Sequence, residues 1–162
     1  MKKISTVFLM SFLIVFGISS SIYSQCKVKP IVKGNRPLLK PFLYDGYATN
    51  DINIGGKTDK VEVEFTAFGR QKYRLVFCTS GFAEKCTINV YDKSSKAKTR
   101  KKVFTSGDKG IDKTIWTVSP SKTTSFYVEY EVAPSADGAL RKECVIMLIG
   151  YTEGTQAPGE DD

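Results

Sequence analysis

The densest run of chemically capable side chains is Lys93-Ser-Ser-Lys-Ala-Lys-Thr-Arg-Lys-Lys102, with six basic residues in ten and no acid. Lys93, Lys96, Lys98, Arg100, Lys101 and Lys102 have the charge to grip phosphate, sulfate or carboxylate groups, and such binding weakens with salt. The bland alternative is a solvated loop whose lysines protect a sheet edge from pairing with another chain. Catalytic constellations are missing. The chain has no histidine, so no Ser-His or Cys-His pair is available. Glu62 with Glu64, and Glu129 with Glu131, are i, i+2 carboxylate pairs on one strand face, best explained as a solvated face. Ser94 or Ser95 beside Lys96 has the residue types of a Ser-Lys dyad, but on a loop with nothing to hold one. Asp45, Asp51, Asp59, Asp92, Asp108 and Asp112 fall in or beside turns, where aspartate serves the backbone. None has the dense acid spacing of a calcium loop. Trp116 and the tyrosines could stack on sugar, although aromatic residues of a sandwich more often fill its core. No catalytic residue, metal or cofactor is expected.

The four cysteines are the second chemical feature. Cys26, Cys78, Cys86 and Cys144 contain no Cys-x-x-Cys pair, which argues against a metal site. An even count in an exported chain reads as two disulfides. Three pairings are possible, and Cys26–Cys144 with Cys78–Cys86 is the favoured one. The first would tie the start of the domain to its last strand, and the second would clasp a short loop. On loop entropy alone they would contribute roughly 5 and 2.5 kcal/mol.

The elements that must position these residues are short. Val61-Glu-Val-Glu-Phe65, Cys86-Thr-Ile-Asn-Val-Tyr-Asp92 and Ser125-Phe-Tyr-Val-Glu-Tyr-Glu-Val132 alternate apolar and polar residues, the mark of a strand with one buried face. Lys72-Tyr-Arg-Leu-Val-Phe-Cys78 is more apolar and reads as central. Cys144-Val-Ile-Met-Leu-Ile-Gly-Tyr151 is continuously apolar, as a strand covered on both sides should be. Lys113–Val118, Pro41–Tyr47 and Lys102–Thr105 complete about eight strands. Turn clusters separate them, at Asn50–Asp59, Thr79–Phe82, Ser106–Gly110, Ser119–Thr124 and Pro134–Gly138. No sustained 3.6-residue apolar period follows the N-terminal segment, so helix should be scarce. The pattern predicts an all-β fold: a single antiparallel β-sandwich, jelly-roll-like.

The first 24 residues read as a secretory signal. Lys2 and Lys3 precede an apolar stretch from Ile4 to Ile18, then a small, polar segment ending at Ser24. The apolar run is shorter than the roughly 20 residues a membrane span requires, so no transmembrane segment is expected in the mature chain. Cleavage after Ser24 is favoured. A cut after Ser21 also fits, and lipidation of Cys26 would require a small residue where Gln25 stands. The expected organisation is a signal at 1–24, a sandwich domain at 25–151 and a disordered acidic tail at 152–162. Loss of Lys2 and Lys3 lowers the formal charge from +7 to about +5, with the negative residues Glu160, Asp161 and Asp162 at the very end. The body is therefore basic and suited to anionic surfaces. Nucleic acid is the least expected of these for an exported chain.

Val61-Glu-Val-Glu-Phe, Tyr73-Arg-Leu-Val-Phe-Cys, Asn89-Val-Tyr-Asp-Lys and Val145-Ile-Met-Leu-Ile-Gly-Tyr together resemble a group of small secreted bacterial proteins, single-domain and largely uncharacterised. The strand rhythm is also similar to bacterial pre-peptidase C-terminal β-sandwich domains, which accompany secreted enzymes and assist binding. Gln25 after a small residue resembles the cleavage sites of Bacteroidota. The resemblance implies an exported protein of the periplasm or cell surface and supplies no catalytic residue. The expected function is non-enzymatic binding or scaffolding in the envelope, with the Lys93–Lys102 arm docking an anionic glycan or protein. A carbohydrate-binding module using exposed aromatics and a small secreted hydrolase are the alternatives.

Overall fold

The computed structural model describes residues 26–79, 85–107 and 114–152. The expected signal at 1–24, the tail from 153 onward and parts of two turn clusters lie outside the described residues. Helix α1 (Val28–Asn35) and a 3-10 turn (Arg36–Leu39) precede eight strands. These are β1 (Leu43–Ile54), β2 (Asp59–Ala67), β3 (Lys72–Cys78), β4 (Cys86–Tyr91), β5 (Lys102–Thr105), β6 (Ile115–Val118), β7 (Thr124–Val132) and β8 (Arg141–Thr152).

The strands form two antiparallel sheets, in the orders β1-β8-β3-β6 and β2-β7-β4-β5. First pairs with last, second with seventh, third with sixth and fourth with fifth. This is the order made by winding one long antiparallel ribbon around a barrel, and it is the order of a jelly roll. The expected all-β sandwich is therefore the observed fold.

Period-two alternation builds the core. Tyr73, Leu75 and Phe77 of β3 meet Ile88 and Val90 of β4 and Val128, Tyr130 and Val132 of β7 between the sheets. Phe77 and Tyr130 meet edge to face at 6.2 Å, as do Phe65 and Tyr73 at 5.3 Å. The opposite face of β3 and β8 carries Val76, Cys78, Ile146 and Leu148, which α1 and the 3-10 turn cover with Ile31, Val32 and Leu39. Both faces of β8 are thus apolar because both are covered.

One expectation needs correction. The segment Asn50–Ile54, expected as turn, continues β1. Ile52 and Ile54 are buried in the core while Asp51 and Asn53 face away. Alternation there was masked by the turn-favouring chemistry of Asn and Asp. Helix α1 is the one α-helix among the described residues, in keeping with the expected scarcity of helix. Eight residues containing Pro30 and Gly34 have weak intrinsic helicity. Pro30 sits in the first turn, where its missing N–H costs no helical bond. Packing on the sheet and the bond from Cys26 to Cys144 hold the helix in place. At the join, a Cβ on Gly150 would lie 3.0 Å from Phe42 Cβ and 3.2 Å from the Leu43 carbonyl. Only glycine lets the 3-10 turn approach β8 so closely.

Candidate functional site

Cys26 and Cys144 form a disulfide, with Cα atoms 5.8 Å apart. The expected Cys78–Cys86 bridge is absent, and both thiols are free. Strand parity is the reason. Phe77 points between the sheets, so Cys78 points outward, into the layer beneath α1. Cys86 sits on the second sheet and packs into the inner core. Burial pushes each thiol up to about 11 from an ordinary 9.0, which removes nucleophilic character at neutral pH.

The basic arm joins β4 to β5, whose pairing brings Tyr91 opposite Lys102. Its position follows from the outer face of the second sheet. Cross-strand register places Glu62 of β2 opposite Glu129 of β7, and Glu129 opposite Asn89 of β4. Two carboxylates facing each other repel unless a cation intervenes, and the arm supplies one. The Arg100 guanidinium bonds Glu129 at 2.7 Å and Glu62 at 3.3 Å, and sits over the Tyr91 ring at 3.7 Å from its centre. Glu129 is buried at 4% exposure. The Arg100 guanidinium is held above its ordinary pKa, chiefly by this bond to Glu129. Lys60 adds ion pairs with Glu131 at 2.8 Å and, more loosely, with Glu129 at 3.8 Å.

The arm's backbone is anchored at both ends as well. The Ser95 N–H and hydroxyl donate to Glu62. The Lys101 N–H donates to Asp92 at 2.7 Å. Ser95 is thus bonded to a carboxylate and is not poised as a nucleophile. The acids are a docking plate for the arm, where the sequence suggested a solvated face.

Of the six basic residues, Arg100 is therefore engaged inside the molecule. Lys93, Lys96, Lys98, Lys101 and Lys102 remain exposed. Lys102 stands 5.8 Å from the Tyr91 ring, and none of the five lysines enters an ion pair among the described residues. The anchors Tyr91, Glu62 and Glu129 do not read as a group in the sequence. Their register is the missing information, although the i, i+2 glutamates on two strands were the visible half of the signal.

The other candidates disperse. Trp116 is half-buried, stacking edge to face on Phe126 at 5.0 Å and against Phe104 at 6.2 Å, so its ring is used within the sandwich. Asp59 accepts the Asn53 and Lys60 N–H groups, and Asp51 pairs with Lys142. Asp108 and Asp112 lie outside the described residues. Among the described residues, no group of three or more cysteine or carboxylate side chains gathers as a metal ion requires.

A jelly-roll sandwich with a fastened cationic arm is the class that fold and surface define. No protein-family model matches the chain, and no curated protein matches it. Among solved structures it is similar to PliG of Aeromonas hydrophila, a periplasmic lysozyme inhibitor of g-type lysozyme. The TM-score is 0.42 at 11% identity, covering 66% of this chain and 87% of that one. A likeness of this degree carries nothing about ligand or partner. No helix among the described residues is long and apolar enough to cross a membrane.

Proposed function

We propose that the protein is an exported, non-enzymatic binding protein whose β4–β5 arm docks an anionic partner, a glycan or protein of the cell envelope. One observation carries this reading. Arg100, Glu62, Glu129 and Tyr91 fasten the base of the arm, while five exposed lysines along it have no carboxylate partner among the described residues. A loop that served only solubility would need no such fastening, whereas a binding surface gains from being held in shape before its partner arrives. The Cys26–Cys144 disulfide supports an oxidising compartment.

The test is retention on immobilised heparin, a sulfated glycan, and on an acidic protein, each eluted with salt. Replacing Lys93, Lys96, Lys98 and Lys101 by Gln should move elution to much lower salt on at least one matrix. Arg100 is left in place so that the arm keeps its shape. Unchanged elution from both matrices would overturn the reading. Neutralising Lys29, on α1 over the first sheet, should have a small effect.

A further inference from the structure

A second feature lies on the other sheet. Where the 3-10 turn enters β1, a cleft of about 380 Å³ is lined by Lys33, Arg36, Lys40, Leu39, Phe42 and Tyr44, with Pro37 and Leu43 at its margin. Its volume falls in the range of small-molecule sites, about 300–1,000 Å³. Three of its lining residues are cations and none is an acid. None of the three cations forms an ion pair among the described residues. The remaining lining is aliphatic or aromatic, and exposed Leu38 and Leu43 extend the apolar surface.

The walls are firmly built. Leu39 is fully buried beneath the turn. Arg36 stacks on Tyr44 at 4.2 Å, and Arg74 stacks on Phe42 at 4.4 Å. Arg74 also bonds the Lys40 carbonyl. The disulfide holds α1, and with it Lys33, to β8. Cations at the rim and apolar groups between them complement a molecule with one acidic head and one apolar tail. A wholly polar anion would leave the exposed Leu38 and Leu43 unused. A neutral hydrophobe would leave three charges unpaired.

We infer that this cleft binds a soluble single-chain amphiphilic anion, with its carboxylate between Lys33, Arg36 and Lys40 and its tail on the exposed Leu43 and Leu38. This site is independent of the arm, which lies on the opposite sheet. The probe is decanoate below its micelle concentration, followed by calorimetry with the full mature chain. Decanoate should bind with one-to-one saturation. Acetate, which lacks the tail, and decyl maltoside, which lacks the charge, should bind at least tenfold more weakly. Lys33→Gln with Lys40→Gln, two exposed side chains outside the packed layer, should weaken decanoate about tenfold, while the arm variant should bind as the wild type does. Circular dichroism of the double variant controls for folding, and Arg36→Lys should retain most of the binding. Four outcomes would overturn the inference: no saturation, equal binding of decyl maltoside, wild-type affinity in the Lys33/Lys40 variant, or association only with phosphatidylglycerol vesicles.

Discussion

Arg100 is the residue whose role changed most between sequence and structure. Within a basic run it reads as one more anion-binding side chain. In the fold it separates two glutamates that register forces together, and Glu129 has little access to water. Removing it leaves a buried carboxylate with only a distant lysine for compensation. Arg100→Ala should therefore destabilise the protein by about 2–3 kcal/mol in urea unfolding. Arg100→Lys should recover only part of this, because an ammonium lacks the planar fork that reaches both carboxylates from above the Tyr91 ring. A variant as stable as the wild type would show that the network is solvated. The two thiols give a pH dependence. Burial raises both to about 11, while the unfolded chain ionises near 9.0. Their contribution to stability is intact below pH 9 and is lost as pH rises from 9 through about 11, since only the unfolded state releases protons there. Urea midpoints should fall across that window, and Cys78→Ala with Cys86→Ala should flatten the fall. A thiol reagent at pH 8 should label the two quickly in denaturant and slowly in the native protein.

At the scale of elements, α1 is the most dependent part. It has no buried residue of its own, and its half-buried Val28, Ile31 and Val32 must share an apolar layer with β3 and β8. The disulfide spans 118 residues, so it restricts the unfolded chain as well as fixing the helix. Cys26→Ser with Cys144→Ser should lower stability by about 2–4 kcal/mol. Amides of α1 should lose protection from hydrogen exchange before those of β3 and β8 do. Equal protection across all three would mean that packing alone suffices. The double substitution is preferred to reduction because it leaves Cys78 and Cys86 without a disulfide to exchange with. The same dependence explains why α1 was invisible: its signal is three apolar side chains in eight residues, too short for a period. β1 was half legible. Its aromatic start, Leu43 to Tyr47, reads as strand, while Asn50 to Asn53 reads as turn until Ile52 and Ile54 are seen to point inward.

At the scale of the molecule, the two charged features occupy different sheets and have different designs. The arm on the second sheet is broad and polar, and the cleft on the first is small and partly apolar. The arm lysines contribute to the field outside the protein and to no ion pair among the described residues. Replacing Lys93, Lys96, Lys98 and Lys101 by Gln should thus leave unfolding within about 0.5 kcal/mol of the wild type. A large loss of stability would show that they serve the fold. The short edges β5 and β6, four residues each, fit the lysine-rich flank of β5 in limiting edge-to-edge pairing. The arm can serve that purpose and binding together.

The sequence by itself determined the class of fold, because alternation along Val61–Phe65, Cys86–Asp92 and Ser125–Val132 is a local property of each strand. It also determined the basic run and the even cysteine count, since composition does not depend on folding. Only the tertiary structure decided which of these groups meet. The pairing of β2 with β7 set Glu62 against Glu129 and drew Arg100 between them. The pleat of β3 sent Cys78 to the opposite side of its sheet from the core that holds Cys86. The docking of α1 and its 3-10 turn on β8 brought Lys33, Arg36 and Lys40 around one cleft. Register, pleat and packing are relations between distant segments, and no local window of residues contains them.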